Sequence, residues 1–184
     1  MRVCASYGAV PEKPADADMH EIRMDIFEKV PSIAGENTIV TLAGKPIDVV
    51  PKGYKGLVDV GESDELIPFR KIRSVHDYEK TPSEEEMLSR LCTMQDLGMD
   101  ITKLAVMPKD RLDVLRLLSV AVKMEEQYAD RPCVTMAMGP LGVLSRVSES
   151  LTGNAITFGT CLEASAPGQI PADRLEKILE WVRA

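Results

Sequence analysis

Two side chains of this sequence, a lysine and a histidine, are of the types that carry out imine chemistry. Lys103 lies in the apolar run 101–106, and His76 closes the preceding apolar run, 70–76. A lysine that points into an apolar interior must pair with a carboxylate or lose its proton, because burial disfavours the ammonium form. A neutral amine is a nucleophile that condenses with a ketone to an imine. A histidine, with an ordinary pKa near 6.5, suits proton transfer in either direction.

Each of these residues also has an ordinary structural explanation. A lysine in a strand is more often salt-bridged, or extended along an apolar surface towards solvent, and a lone histidine is more often structural. The two together are more informative, because both fall near the C-terminal ends of neighbouring predicted strands. Active sites of barrel enzymes are built at these ends. The pattern favours Lys103 as the nucleophile and His76 as the acid and base.

Short apolar runs rich in Val, Ile and Thr predict eight strands. They are 3–7, 19–26, 38–42, 56–60, 70–76, 101–106, 133–138 and 155–161. Helical patterns follow in the second half, at 83–97, 110–128 and 172–182, the first opening with a serine cap and acidic residues. Strands that alternate with helices indicate parallel pairing. We therefore predict an α/β fold, a (β/α)8 TIM barrel, with an open doubly wound sheet as the alternative.

The length of the chain predicts a compact version of this barrel. With 184 residues, the chain suits one domain, 1–184, and is shorter than the roughly 250 residues that such barrels typically take. The links 27–37, 43–55 and 61–69 are too short for full helices. We expect shortened or missing helices in the first half of the barrel.

Charged residues alternate with apolar residues along the second predicted strand. Glu21, Arg23 and Asp25 share one face of an extended chain, and apolar residues occupy the other. In the sixth strand the same alternation turns Lys103 towards the inner face. A packed interior would not hold several charges, so we interpret the inner face of the barrel as a reaction chamber.

Composition and charge exclude several classes of function. The net charge is −7 and the pI about 5.0, which argues against nucleic acid as a partner. No window resembles a membrane span, and the first residues lack the pattern of a secretory signal, so we expect a cytoplasmic protein. The four cysteines form no CxxC pair and there are two histidines, so we expect no metal site.

Five motifs, taken in order, resemble those of the type I 3-dehydroquinate dehydratases. They are Glu21-Ile22-Arg23-Met24-Asp25, Ser74-Val75-His76-Asp77-Tyr78 before Thr81-Pro82, Asp100-Ile101-Thr102-Lys103-Leu104-Ala105, Met138-Gly139 with Ser145-Arg146, and Ser165-Ala166-Pro167-Gly168-Gln169-Ile170. The resemblance covers most of the chain, and the second and last motifs are the most specific. It implies a (β/α)8 barrel, usually a homodimer, that dehydrates the small molecule 3-dehydroquinate to 3-dehydroshikimate in the shikimate pathway. It implies no metal or nucleotide cofactor.

The resemblance also assigns roles to individual residues. Lys103 would form the imine with the substrate ketone, and His76 would remove the α-proton and later protonate the departing hydroxyl. Arg146 would bind the substrate carboxylate, for which a guanidinium is a suitable partner. The remaining candidates contact the substrate or support the site: Glu21 and Arg23 at its hydroxyls, Ser165 and Gln169 on the loop after the eighth strand, Ser6 as a weaker candidate, and Asp59 orienting His76.

The third predicted strand departs from the family pattern. The family usually carries an arginine there, followed by a Glu-Gly-Gly turn, and we expect Leu42 at the position of that arginine. Gly61 replaces a glutamate that often follows the fourth strand, and Lys45 or Glu62 are candidates to compensate. Three hypotheses remain: an active dehydratase with a rebuilt third-strand contact, a related imine-forming lyase such as an aldolase, or a non-catalytic homologue that binds a small carboxylate or a protein partner.

Overall fold

A sheet of eight parallel strands forms the framework of the protein, in a computed structural model that describes residues 1–63, 67–164 and 167–183. The strands are β1 (Arg2–Tyr7), β2 (Met19–Arg23), β3 (Thr38–Thr41), β4 (Leu57–Asp59), β5 (Arg70–Asp77), β6 (Ile101–Val106), β7 (Cys133–Ala137) and β8 (Ile156–Cys161). They pair in the order β7-β6-β5-β4-β3-β2-β1-β8. Because β8 returns to pair with β1, the sheet curves into a nearly closed barrel. The predicted α/β barrel fold is confirmed.

The seam between β7 and β8 is joined by a side chain more than by backbone. The Ala155 N–H donates to the Cys133 carbonyl at 3.0 Å. The Asn154 side chain accepts from the Thr135 N–H at 2.7 Å and donates to the Thr135 carbonyl at 3.0 Å. A buried amide thus stands in for a strand partner, because it satisfies the donor and the acceptor of the same residue.

Four α-helices cover the described part of the barrel. They are α1 (Glu84–Asp96), α2 (Arg111–Lys123), α3 (Glu149–Thr152) and α4 (Ala172–Arg183). The Ser83 and Asp110 side chains cap α1 and α2, as their types predict. Short 3₁₀ helices lie at Ile47–Val49 and Pro140–Arg146. Among the described residues between β2 and β5, the 3₁₀ turn is the one helical segment, which confirms the thin first half.

Two predicted boundaries differ from the structure by more than one residue. The second strand ends at Arg23 and not at Ile26, because the N–H groups of Ile26 and Phe27 both turn back to the Arg23 carbonyl. The helix predicted over 110–128 is α-helical to Lys123 and continues as a π-helical turn, Met124–Tyr128. Both differences lie at element ends, where local hydrogen bonds decide the outcome.

Apolar side chains pack in three separate clusters. One lies inside the barrel below the ends of the strands and includes Met19, Ile39 and Ile101. The second lies between β6 and the helices α1 and α2. The third covers the outer face of the first half of the barrel, where Phe27 and loop residues pack together with α4. The described residues contain no helix that is long and apolar enough to cross a membrane.

Candidate active site

A cavity opens at the C-terminal end of the barrel. It has about 370 Å³ of empty space, including its mouth. Its lining residues come from both halves of the chain: Glu21, Arg23, His76, Lys103, Ala105, Met136, Met138, Arg146, Phe158 and Gln169. We call this cavity the chamber. It brings together six of the residues that the sequence singled out, at the end of the strands where barrel sites are built.

Lys103 lies at the centre of the chamber and is paired with carboxylates. Its side chain is 6% exposed, and Nζ donates to Oδ2 of Asp59 at 3.1 Å. Nζ also lies 3.9 Å from Oε1 of Glu21 and 4.3 Å from the ring centroid of Phe158. Burial lowers the pKa of Lys103, but Asp59 and Glu21 outweigh burial and leave that pKa above its ordinary value. Lys103 therefore rests as an ammonium ion and must lose a proton before it can attack a ketone.

Asp59 serves Lys103 and not His76, contrary to the predicted role. Oδ1 of Asp59 accepts from the Ser74 hydroxyl at 2.6 Å and from the Gly61 N–H at 2.9 Å, and Oδ2 accepts from Lys103. No hydrogen bond joins Asp59 to His76 in the described structure. The strand register explains this, because Ser74 lies beside Lys103 and His76 lies two residues further towards the mouth.

The charge on Asp59 is stabilised by these contacts. Burial raises the pKa of this carboxyl group, but Lys103, Ser74 and the Gly61 N–H together bring the pKa below its ordinary value. Asp59 is fully buried, so its negative charge is stable only while these partners are present. The pair is thus an ammonium and a carboxylate that are both buried.

Glu21 is the second buried carboxylate beside Lys103. Its Oε1 accepts from the Thr41 hydroxyl at 2.8 Å, and its Oε2 accepts from the Ser6 hydroxyl. Ser6 is fully buried behind Glu21 and is not among the residues that line the chamber. Ser6 therefore supports Glu21 from below.

Two hydroxyl groups of this network, on Thr41 and Ser74, were missed in the sequence. Each occupies an inward position: Thr41 follows Ile39 by two residues in β3, and Ser74 precedes His76 by two residues in β5. The signal available was this period of two. It identifies the inward face, but the strand register decides which carboxylate each hydroxyl meets.

His76 faces the chamber as a neutral imidazole. Its ring stacks on Tyr78, with centroids 5.8 Å apart and planes 13° from parallel. Burial, followed by the positive charge of Lys103, lowers the pKa of His76 to about 4, although Asp59 and Glu21 act in the opposite direction. At neutral pH the ring is therefore unprotonated, which is the form needed to accept a proton.

Arg146 brings a buried positive charge to the chamber beside β7 and β8. The 3₁₀ helix Pro140–Arg146 places it there, and the Ser145 hydroxyl anchors that turn by donating to the Gly142 carbonyl at 2.7 Å. One terminal nitrogen of Arg146 donates to the Phe158 carbonyl at 3.2 Å.

The rest of the guanidinium of Arg146 is unpaired. Its Nε and second terminal nitrogen have no hydrogen-bond partner within the described chain. Burial lowers the pKa of Arg146 to about 10, so the group stays charged at neutral pH. A buried cation with unused donors is suited to an anion, and a carboxylate matches its planar fork.

Arg23 and Gln169 lie on the rim of the chamber. Arg23 donates from Nε and a terminal nitrogen to the two oxygens of Asp25, at 3.2 and 2.8 Å. Gln169 follows Gly168, which packs so tightly on Gly139 that an added Cβ would lie 2.3 Å from the Gly139 carbonyl oxygen. The loops after β7 and β8 therefore touch. Ser165, the remaining predicted contact, lies outside the described residues.

The structure corrects the position expected for the missing arginine. Leu42 is 5% exposed and packs in the outer cluster of the first half, so it does not face the chamber. The preceding residue, Thr41, faces inward, and the alternation makes Ala43 the next inward position. Ala43 is exposed with a φ of 49°, and Lys45 and Glu62 are not among the chamber residues. This end of β3 gives the chamber no long side chain.

Comparisons with known proteins agree with this architecture. Residues 62–184 match the family model described as type I 3-dehydroquinase. A 3-dehydroquinate dehydratase of Bacillus licheniformis is 49% identical over 125 residues, which are 68% of this chain and 48% of that protein. One of Salmonella paratyphi B is 52% identical over 108 residues, 59% of this chain and 43% of that protein. The matched stretch spans about half the length of these relatives.

Similarity of fold extends further along the chain than this. A type I 3-dehydroquinate dehydratase of Clostridium difficile with covalently modified comenic acid has a TM-score of 0.78 and 29% identity, covering 98% of this chain and 91% of that one. The enzyme of Geobacillus kaustophilus has a TM-score of 0.80 and 28% identity, covering 99% and 91%. Strand order, the chamber residues and the matched sequence lead to the same conclusion. The chain belongs to the type I 3-dehydroquinase family.

Proposed function

We propose that this protein is a hydro-lyase that removes water from 3-dehydroquinate to give 3-dehydroshikimate, through an imine on Lys103, in the shikimate pathway. The observation that carries the proposal is that one chamber holds a buried lysine, a neutral histidine and an arginine with two donor nitrogens that no described residue accepts from. These are a nucleophile, a base and a carboxylate site. The chemistry needs these side chains alone, without a metal or nucleotide cofactor. The relatives of Bacillus licheniformis and Salmonella paratyphi B are 3-dehydroquinate dehydratases, which supports the choice of substrate.

The reaction begins with binding and imine formation. Arg146 binds the substrate carboxylate by donating hydrogen bonds to it, which brings the ketone to Lys103. Lys103 gives up one proton to neutral His76, which lines the same chamber and is in the form that accepts a proton. The amine then attacks the carbonyl carbon, and the carbonyl oxygen leaves as water with one proton from the former amine and one returned by His76, which gives a protonated imine and leaves His76 neutral. Because ammonium and iminium carry the same charge, Asp59 and Glu21 stabilise both without rearranging.

Elimination follows from the electron demand of the protonated imine. His76 removes a proton from the carbon next to the imine carbon, and the electron pair forms an enamine. The enamine expels the hydroxyl group on the adjacent carbon, and that oxygen takes the proton from His76 as it leaves as water. A second water molecule hydrolyses the imine and returns the Lys103 amine. Glu21, Arg23, Gln169 and Ser165 contact the substrate hydroxyl and carboxylate groups in this proposal.

Trapping with borohydride tests this mechanism directly. We expect incubation with 3-dehydroquinate and borohydride to add one reduced adduct to the intact mass, and peptide mapping to locate it on Lys103. Without borohydride, absorbance from the conjugated product should rise. A folded protein that gives neither adduct nor product would contradict the proposal. An adduct on a lysine other than 103 would contradict the assigned nucleophile.

A related imine-forming lyase, such as an aldolase, is the second candidate. The observation that favours it is the bare end of β3, where Ala43 and Gly44 leave one side of the chamber without a long side chain. A different hydroxy-ketone would then fit. The same trapping experiment with a panel of hydroxy-keto acids separates the two, since the preferred substrate gives the faster adduct at equal concentration.

We also propose that residues 1–184 form a single catalytic domain. The support is that the ion pair of Lys103 joins side chains of β2, β4 and β6, so neither half of the barrel contains a complete site. A single cooperative unfolding transition, with the same midpoint by fluorescence and circular dichroism, is expected.

We propose a cytoplasmic location because the cysteine thiols are free. Cys4, Cys92, Cys133 and Cys161 are all free, which suits a reducing compartment. Cell fractionation against marker enzymes tests it.

We further propose a homodimer, supported by a group of exposed apolar side chains near α2. Leu112 and Leu115 on α2, Leu141 and Leu144 on the following 3₁₀ helix, and Leu151 on α3 are each 43% exposed or more. These elements contact one another, so the side chains lie on one side of the barrel. Light scattering should give twice the chain mass, and Leu115→Glu should give a monomer. Val10→Glu, at a residue 66% exposed elsewhere, is the matched control.

A further inference from the structure

The rim of the chamber at β2 carries an ion pair within a single turn. Arg23 closes β2, and both oxygens of Asp25 accept from its guanidinium, at 3.2 and 2.8 Å. The Arg23 side chain is 24% exposed and that of Asp25 is 44% exposed. A two-point contact between planar groups fixes an orientation, which a single hydrogen bond does not.

The turn that carries Asp25 is itself held in place. The N–H groups of Ile26 and Phe27 donate to the Arg23 carbonyl at 3.0 and 2.9 Å. Phe27 is 5% exposed and packs in the outer cluster of the first half. Asp25 is therefore fixed between a strand end and a buried anchor, and its carboxylate is set in position before any ligand arrives.

Empty space lies on the far side of Asp25. A second, open cavity of about 260 Å³ is lined by the residues of the turn and by the link after β3: Met24, Asp25, Ile26, Phe27, Glu28, Lys45 and Val49. Asp25 lines this second cavity and Arg23 lines the chamber. The end of β3 offers the small residues Ala43 and Gly44. Without Asp25, the guanidinium of Arg23 would have room to leave the chamber.

We propose that Asp25 is a positioning residue, whose carboxylate holds the Arg23 guanidinium over the mouth of the chamber in place of support from β3. The inference rests on the proposed function, in which Arg23 contacts the substrate hydroxyl groups. Burial lowers the pKa of Arg23, but the hydrogen bond that Arg23 donates to Asp25 and the nearby charges outweigh burial and raise that pKa, so the pair remains ionised.

Steady-state kinetics of Asp25→Ala test the role. The KM for 3-dehydroquinate should rise about three- to tenfold, as expected for a bidentate pair at the surface, while kcat stays within about twofold. Asp25→Glu should restore part of the loss. Asp48→Asn is the matched control, since it removes one exposed negative charge from the link after β3 and should leave KM unchanged.

A double-mutant cycle separates positioning from a merely structural effect. In an Arg23→Ala background, Asp25→Ala should add nothing further to KM, because the group that it positions is absent. Additive effects, or an unchanged KM in the single variant, would overturn the proposal.

A crystal structure of Asp25→Ala gives an answer that does not depend on turnover. We expect the Arg23 guanidinium to have moved away from the chamber towards the second cavity. A guanidinium that stays in place would overturn the positioning role. If the unaltered protein neither turns over nor traps 3-dehydroquinate, the proposed function fails, but this structural result still decides whether Asp25 positions Arg23.

Discussion

The two halves of the barrel differ in how they are covered and in what they give to the chamber. Outside β5 to β8, the helices α1 and α2 pack on a buried apolar layer. Outside β1 to β4, the described residues that cover the sheet belong to loops, one 3₁₀ turn and α4. The family model matches 62–184, but solved relatives superpose on nearly the whole chain. The ladder of strands and its inward side chains therefore preserve the barrel even where the outer helices are lost.

The chemistry is divided along the same line. The second half holds Lys103 and His76, which would make and break bonds. It also holds Arg146, which would bind the substrate carboxylate. The first half holds Asp59 and Glu21, which set the charge of Lys103. The ion pair between β4 and β6 connects the two. Loss of sequence similarity in the first half has therefore not removed its electrostatic contribution.

Lys103→Met should lower the activity more than any other substitution proposed for the two halves. It removes the covalent route, so kcat should fall by more than about 10³-fold and the borohydride adduct should disappear. The buried carboxylates of Asp59 and Glu21 lose their cation, so the midpoint of thermal unfolding at neutral pH should also fall. Residual imine formation in a folded variant would show that the second half does not hold the nucleophile alone.

His76→Ala should come next, with a loss in kcat of about 10²- to 10⁴-fold. The adduct on Lys103 should still form, more slowly, since His76 acts mainly after it. A variant that traps no substrate at all would assign His76 to binding and not to proton transfer.

The pH dependence of kcat/KM in the unaltered protein tests the role of His76. Because its pKa is about 4, kcat/KM should decline on the acidic side near pH 4 and not near 6.5. The same depressed pKa means that the unfolded chain binds this proton more readily. The contribution of His76 to stability should therefore fall as the pH drops from about 6.5 towards 4. A decline centred near 6.5 would mean that burial and Lys103 do not lower the pKa of His76 in the active protein.

Leu42→Arg and Ala43→Arg test the correction at β3. Leu42→Arg buries a charge in the outer cluster and should lower the free energy of unfolding by roughly 3 kcal/mol or more. Ala43→Arg, at an exposed position, should change it by no more than about 0.5 kcal/mol, because alanine already adopts the φ of 49° and arginine adds no further backbone strain. Urea unfolding of both variants measures the difference. Equal losses would indicate that the two side chains do not face opposite sides of the sheet.

Arg146→Lys should have the smallest effect on turnover. A point charge replaces the planar fork, so KM should rise about tenfold with little change in kcat. Binding of a substrate analogue without its carboxylate should be unaffected by the change. If the variant binds the substrate and the analogue more weakly by the same factor, Arg146 is not the carboxylate site.

Much of the fold was predictable because it repeats a simple pattern. Eight short apolar runs rich in Val, Ile and Thr predicted the strands, and the short links predicted the missing helices. The inward orientation of Lys103 followed from the alternation of side chains along its strand. The predictions failed at the partner of Asp59 and at the position of Leu42. The first depends on the register between separate strands, and the second on a one-residue difference near a strand end, which a single sequence does not specify.

The seam at Asn154 has a mechanical consequence for the chamber. Separating β7 from β8 breaks one backbone hydrogen bond and the contacts of one amide, whereas separating the other described neighbours breaks a ladder. The strands that flank the seam carry Met136 and Phe158, which touch Arg146. The barrel is therefore stiff where the covalent bond would form, and it has its most compliant joint beside the guanidinium that receives the carboxylate.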